Sequence, residues 1–262
     1  MKKLILAAAA VMVVAGSASA ADLSRPVYKA EPVKRCAADW WRGGYIGVNG
    51  GGVNYTANRT DSDDFLFGST STYVQKKWGY VVGGQIGYNW TTCNTLWGIE
   101  LDGDWGRADV TTTAFPNIAG FNLNVNSRFD GLVTGRARTG IVLDSLLLYL
   151  TGGVAAVHTR TTWTRAFGPP VVLVPALNQV EFQDWRWGWV AGFGTEWAWS
   201  DRVSLRSEVL YVDVSDREYS NTFAVPAAGA VGPFRFTNSD SMWISRVGIN
   251  WKFGKDAIVA KY

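Results

Sequence analysis

The residue with the widest chemical repertoire in this chain is its single histidine, His158. A Ser-His-Asp arrangement or a metal site would need partner residues at defined spacings, and no nucleophile motif accompanies this histidine. The glycine run 50–52 lacks the Lys-Ser/Thr pair and the following helix of a phosphate-binding loop. The sequence therefore predicts no enzyme, no metal site and no cofactor, and it places His158 as a polar residue at the outer rim of a strand.

A second set of reactive side chains consists of charged residues that recur at alternate positions. Four acids and four arginines have this placement: Glu100, Asp102, Glu196, Glu208, Arg136, Arg138, Arg206 and Arg246. Each lies on the face opposite bulky apolar residues, as Glu196 does opposite Trp197. If that face is buried, the charges must pair, because an unpaired buried charge costs several kcal/mol. The alternative is that some of them, Arg206 and Glu208 above all, lie at a rim in water.

The elements that would position these charges are segments whose hydrophobicity alternates with a period of two, typical of strands. They cover about 40–55, 78–90, 96–105, 128–143, 146–159, 185–199, 203–214 and 242–253. The connections between them alternate in length. Short ones lie at 91–95, 144–145 and 200–201, and long ones lie near 57–76, 108–125, 160–184 and 215–240.

The outward face of these segments indicates lipid as the surrounding solvent. Aromatic residues make up 14% of the chain and charged residues only 18%, yet no internal apolar run approaches the ~20 residues of a membrane helix. A soluble β-sandwich is the alternative, but it would not place Trp and Tyr opposite charges in nearly every strand. The pattern predicts an all-β, closed antiparallel up-and-down transmembrane β-barrel of eight strands, with periplasmic N- and C-termini and outer-membrane lipid as its partner.

The N-terminus has the layout of a cleaved secretory signal peptide. Lys2 and Lys3 precede a short apolar stretch, and small residues at 18–20 form a cleavage site. We expect a signal peptide at 1–20, a periplasmic linker at 21–39, the barrel at 40–254 and a tail at 255–262. Without the two lysines the net charge falls from +3 to +1, so the composition does not indicate a nucleic-acid partner.

Two cysteines, Cys36 and Cys93, are predicted to meet. The first precedes strand one and the second lies in the turn between strands two and three, so an antiparallel meander puts both at the periplasmic end of neighbouring strands. The periplasm oxidises thiols, and an even count in an exported chain favours pairing. We predict a Cys36–Cys93 disulfide, and the alternative is two free thiols held apart by a mobile linker.

Apolar residues also occur in two predicted outer loops: Val171, Val172, Leu173, Val174, Phe223 and Val225. Such side chains either pack together as a lid or form a contact site for a hydrophobic ligand or partner.

Several ordered segments resemble the outer-membrane immunogenic, porin-like β-barrel proteins of Gram-negative bacteria. They include GGQIGYNW at 83–90, GIELD at 98–102, GRARTG at 135–140 and LYLTGGVA at 148–155, and they continue through 188–196 and 205–213. The resemblance covers nearly all of the mature chain. It implies an eight-stranded barrel with exposed, immunogenic loops, and it carries no catalytic residues.

The last strand resembles the signal that is read by the barrel-assembly machinery, a second expected partner. Its pattern of Gly248, Trp251 and Phe253 matches, although residues 254–262 follow where the signal usually ends the chain. The sequence thus predicts an outer-membrane surface protein that supports envelope integrity and presents its loops as a surface antigen. Two alternatives stay open: a narrow porin for small solutes, and a receptor or adhesin that binds haem or a host ligand through its loops.

Overall fold

The protein is a closed barrel. The computed structural model describes residues 37–61, 72–114, 121–167, 179–225 and 230–253. These residues form eight antiparallel strands in chain order, with the first strand paired to the last. The predicted eight-stranded up-and-down barrel is confirmed. Among the described residues, no helix is long and apolar enough to cross a membrane.

A short 3-10 helix, Ala37–Trp41, precedes the barrel. The strands are β1 Gly43–Asp61, β2 Thr72–Thr92, β3 Thr95–Ala114, β4 Phe121–Leu143, β5 Leu146–Phe167, β6 Gln179–Ala198, β7 Val203–Val225 and β8 Ala230–Lys252. The predicted start of the first strand at Trp40 is wrong, because the chain makes this helical turn before it enters the sheet. The signal peptide, the body of the linker and the tail lie outside the described residues.

The strands extend further than predicted at one end of the barrel only. Phe223 and Val225, predicted to lie in a loop, are part of β7 and pair with Gly232 and Ala230 of β8. Their assignment to a loop is wrong. Backbone pairing continues beyond the region where side chains alternate between apolar and polar, because the backbone hydrogen bonds of an antiparallel hairpin do not require that alternation. The apolar run 171–174 lies outside the described residues.

The opposite end, here called the short-turn end, has tight connections at the predicted positions. Cys93 and Asp144 each begin a two-residue turn with a positive φ, 43° and 56° respectively. A positive φ suits the right-handed twist of a tight hairpin. The other end, with the extended strands, is called the long-hairpin end.

The outer wall carries two belts of exposed aromatic side chains. Trp187 and Trp197 of β6 mark the two levels, and both side chains are about half exposed or more. They are ten residues apart, which at ~3.3 Å per residue and a strand tilt of about 40° corresponds to roughly 25 Å along the barrel axis. This is the height of the apolar band of an outer-membrane barrel. The outer wall is therefore built to face lipid.

Candidate functional site

The interior of the barrel, the lumen, holds a buried network of ion pairs. It contains all eight charged residues that the sequence singled out, together with Asp104. They come from β3, β4, β6, β7 and β8, so the network spans the lumen from wall to wall. Each reaches the interior because its strand alternates and turns every second side chain inward.

Glu100 lies at the centre of this network. Arg206 donates to both of its carboxylate oxygens, from Nη1 to Oε2 at 2.5 Å and from Nη2 to Oε1 at 2.9 Å. Arg136 also donates to Oε1, and its Nη1 reaches Oε1 of Glu208 at 2.9 Å. A carboxylate held by two arginines in this way has most of its acceptor capacity filled, as a buried charge requires.

Arg246 joins three acids on the side toward the long-hairpin end. Its Nε donates to Oε2 of Glu208 at 2.9 Å, its Nη1 to Oδ2 of Asp104 at 2.5 Å, and its Nη2 to Oδ1 of Asp102 at 3.0 Å. Asp104 was missed in the sequence although it shares the parity of Asp102, because it lies close to the end of the predicted strand.

The side toward the short-turn end is held by Arg138 and Glu196. Arg138 Nη1 donates to Glu196 Oε2 at 3.1 Å, and its Nε donates to Asn89 Oδ1 at 3.0 Å. Glu196 Oε1 also accepts from Ser204 Oγ at 2.5 Å and from Asn250 Nδ2 at 2.8 Å. Neutral polar residues therefore supply further hydrogen bonds to these charges.

Two tyrosines that sequence reasoning missed close gaps in the network. Tyr45 Oη donates to Glu100 Oε2 at 2.6 Å, and Tyr149 Oη donates to Glu208 Oε1 at 3.1 Å. Each ring lies over a glycine on the neighbouring strand, Gly87 and Gly194, where an added Cβ would collide with the phenol group. These inward glycines make room for the rings. An inward aromatic residue opposite an inward glycine on the next strand is therefore the sequence signal that could have identified the two tyrosines.

An apolar layer fills the lumen between the ion network and the long-hairpin end. Its members are all buried and include Tyr55, Phe129, Leu132, Leu210, Met242 and Ile244. Beyond it, Arg186 pairs with Asp240 and also donates to the backbone oxygens of Ser215 and Asn238 at 2.6 and 3.0 Å. The sequence did not predict this layer, because inward apolar residues in a strand look the same as outward ones.

The 3-10 helix forms a plug at the short-turn end. Ala38 and Trp41 are fully buried and pack with Leu96, Leu147 and other apolar side chains. Polar contacts hold the plug in place: Ala38 N donates to Cys93 O at 3.0 Å, and Asn89 Nδ2 donates to Trp41 O at 3.0 Å. Lys252 Nζ donates to Trp40 O and lies 4.3 Å from the centre of its ring.

The remaining predicted residues lie at the ends or on the walls. Gly248 faces inward against β1, while Trp251 and Phe253 are about half exposed on the outer wall. Cys93 is disulfide-bonded, and Cys36 lies outside the described residues, so the predicted pairing stays a prediction. His158 lies on the outer wall with its ring centre 5.1 Å from that of Trp185.

Comparison with known proteins places the chain among barrels. The outer membrane protein beta-barrel domain matches residues 6–231. The chain is 30% identical over 266 residues to the 31 kDa outer-membrane immunogenic protein of Brucella melitensis, covering 97% of this chain and 100% of the relative. It is 27% identical over 256 residues to the 25 kDa outer-membrane immunogenic protein of Brucella canis, covering 97% and 99%. The 22 kDa outer membrane protein of Rhizobium leguminosarum is 24% identical over 164 residues, or 60% and 66% of the two chains.

Proposed function

The chain belongs to the family of outer membrane proteins with a β-barrel domain, and we propose that it acts in the outer membrane as a closed surface barrel. In this role it anchors in lipid, contributes to the integrity of the envelope and presents its long hairpins to the outside as surface antigens. The two relatives named as immunogenic proteins support the surface role.

The closed lumen is the observation that carries this proposal. The helical plug, the ion network and the apolar layer follow one another along the barrel axis, and their side chains are buried. An eight-stranded barrel has an interior that side chains can fill completely. Water and ions would have to displace charge pairs and apolar contacts together, which counts against the alternative of a narrow porin.

A conductance experiment tests the closed state. The refolded protein is incorporated into planar bilayers and into sugar-loaded liposomes, with a general porin as the positive control and boiled protein as the negative control. We expect no channel steps and no swelling above the boiled sample. Regular conductance steps from the folded protein would contradict the proposal.

The orientation is part of the same proposal. The short-turn end and both termini face the periplasm, in line with the short periplasmic turns of outer-membrane barrels. Epitope tags inserted near residue 65 or at 144–145 test this in intact cells. We expect an antibody to label the first tag without permeabilisation and the second only after it.

The contribution to the envelope is tested with a strain that lacks the protein. We expect this strain to be more sensitive to detergent, and expression of the wild-type chain should restore its resistance. For a haem receptor, histidine is one possible iron ligand, and His158, the one histidine of the sequence, lies on the outer wall with its Nδ1 3.7 Å from Asp130 Oδ2. This location does not favour histidine ligation of haem by the outer loops.

A further inference from the structure

The glycines of this barrel fall into two classes. An added Cβ at many inward glycines would collide with neighbouring atoms, whereas at the outward Gly103 it would meet nothing within 4 Å. At the outward Gly84 it would meet only the Gly47 carbonyl oxygen, at 3.3 Å. Glycine weakens a strand interior and often marks a place where a ligand or another chain comes close. Packing inside the protein explains the inward glycines and leaves Gly103 without an explanation.

These outward glycines form the floor of an apolar groove on the outer wall. Gly84 and Gly103 are direct partners on β2 and β3, and the side chains of Ile46, Ile86 and Leu101 rise around them. The groove has a volume of about 780 Å³, within the range of about 300–1,000 Å³ typical of ligand sites. It lies in the lipid-facing band, so its occupant comes from the membrane.

A polar cavity continues the groove toward the long-hairpin end. Gly103 and Val133 line both, and the polar part has a volume of about 470 Å³. Its walls carry Arg128, Asp130, His158 and Arg160, and the belt residues Trp105 and Trp185 flank them. The continuous surface is therefore apolar along the lipid band and charged at the aromatic belt.

The charges at this upper end include two partly exposed arginines. Arg128 and Arg160 are direct cross-strand partners on β4 and β5, an arrangement that is unfavourable for like charges. Asp130 lies between them: it accepts from Arg128 Nε, and its Oδ2 lies 3.4 Å from Arg160 Nε. Its side chain is only 14% exposed, against 27% and 33% for the two arginines. The carboxylate thus orients two guanidinium groups that still face outward.

We propose that this surface binds a phosphorylated membrane lipid, with one acyl chain in the groove over Gly84 and Gly103 and the phosphate at Arg128 and Arg160. Arginine forks suit phosphate oxygens, and indole rings such as that of Trp185 suit the headgroup level of a bilayer. Glu181, whose side chain is 37% exposed, forms an ion pair with Arg160 Nη1 at 3.2 Å at the edge of the site. In the proposed orientation, the site takes its lipid from the outer leaflet.

The arginine pair at one end of the groove favours a lipid over a second copy of the chain. A homodimer held by the outward glycines would use apolar contact alone and would not involve the two arginines. A lipid uses the apolar floor and the N–H donors of the arginines together.

Native mass spectrometry of the folded protein in detergent tests the proposal. Three probes separate the contributions of the acyl chains and of the phosphate. Dimyristoyl phosphatidic acid carries both, dimyristoylglycerol carries the same chains without phosphate, and glycerol 3-phosphate carries the phosphate alone. We expect one phosphatidic acid to be retained, with an affinity at least about tenfold above that of the other two, since charge-assisted hydrogen bonds are lost with the phosphate.

Matched variants locate the site. Gly103→Leu fills the groove, and Gly152→Leu makes the same change at an outward glycine whose nearest neighbour is the Val190 backbone oxygen. We expect the first to abolish retention and the second to leave it unchanged. Arg128→Gln and Arg160→Gln should each weaken retention about tenfold, whereas Arg202→Gln, at the exposed short turn between β6 and β7, should not. A mobility difference between boiled and unboiled protein confirms that each variant is folded.

Equal retention of dimyristoylglycerol and phosphatidic acid would overturn the proposal, as would wild-type binding by the folded Gly103→Leu variant. Competition by glycerol 3-phosphate at equal concentration would show an anion site without a lipid groove and would also overturn it. A dimer that Gly103→Leu dissociates would make a second copy the occupant. None of these outcomes depends on conductance, so a failure of the lipid-site proposal can be distinguished from a failure of the closed-lumen proposal.

Discussion

Glu100 gives the strongest single test of the lumen network, because three side chains depend on its carboxylate. It accepts hydrogen bonds from Arg136, Arg206 and Tyr45. In Glu100→Ala all three donors lose this partner, and both arginines stay buried with fewer counter-charges. Breaking a buried ion pair by removing one partner costs about 3–5 kcal/mol. We therefore expect Glu100→Ala to lower the free energy of unfolding by an amount in that range.

Two further variants separate charge from shape and from general effects. Glu100→Gln keeps the side-chain size and one oxygen acceptor but removes the charge, so its loss of stability should lie between those of the wild type and Glu100→Ala. Asp109→Ala removes an acid that pairs with Arg107 at 2.7 Å on the exposed outer surface. Exposed ion pairs contribute little, so this control should unfold with the wild type.

Urea titration in lipid vesicles, followed by tryptophan fluorescence and by gel mobility, measures these differences. The two readouts should coincide if the barrel unfolds as one unit. Conductance should stay absent in Glu100→Ala, because the apolar layer and the helical plug remain. A loss below ~1 kcal/mol, the size expected of solvated pairs, would refute the description of Glu100 as a buried centre.

Three other changes probe the wall, the plug and the linker. Trp189→Arg places a charge on the lipid face and should lower the free energy of unfolding by about 2–4 kcal/mol in the same titration. Trp189→Phe should be nearly neutral. If the two variants were equally stable, the assignment of Trp189 to the lipid face would be wrong. Trp41→Ala removes a fully buried ring and should cost about 3–5 kcal/mol, whereas a change no larger than that of Trp40→Ala would mean that the plug is not packed. Thiol titration of denatured, unreduced protein should find no free thiol. Reduction of a Cys36–Cys93 bond should then lower the free energy of unfolding by roughly 4 kcal/mol. Two titratable thiols would rule the bond out.

The parity of most strands could be predicted from the sequence because lipid and lumen impose opposite demands on neighbouring residues. Trp189 and Glu196 illustrate this: the first is half exposed on the outer wall and the second is buried in the lumen. The tight turns at the short-turn end were also predictable, since the apolar pattern stops and restarts within a few residues there. The family resemblance seen in the sequence is confirmed by the relatives.

Features outside the lipid band could not be predicted in the same way. β7 and β8 continue as a paired hairpin as far as Val225 and Ala230, where backbone hydrogen bonds, which do not depend on an apolar pattern, hold the strands together. The apolar lumen layer could not be predicted for a different reason. Leu210 and Val212 face inward but have the same character as lipid-facing residues, so periodicity alone cannot separate the two.

The ion pairs that cross the lumen depend on closure, which a sequence pattern does not reveal. Glu100 on β3 and Arg206 on β7 are 106 residues apart, and their strands are not neighbours in the sheet. They meet only when β1 pairs with β8 and the lumen is complete. Strand parity can state which charges enter the lumen, but the tilt and stagger of the closed barrel decide which of them touch.

This dependence has a consequence for assembly. Charged and neutral polar inward residues keep the strands amphipathic, so no strand forms the long apolar run that would span a membrane as a helix. Before closure, the same charges can stay hydrated. After closure they are buried, and Glu100 is satisfied only if Arg136 pairs with it from the neighbouring strand β4 and Arg206 reaches it across the lumen from β7. Closure of the wall and formation of the network are therefore one event, which is why a substitution at Glu100 should destabilise the whole barrel rather than one hairpin.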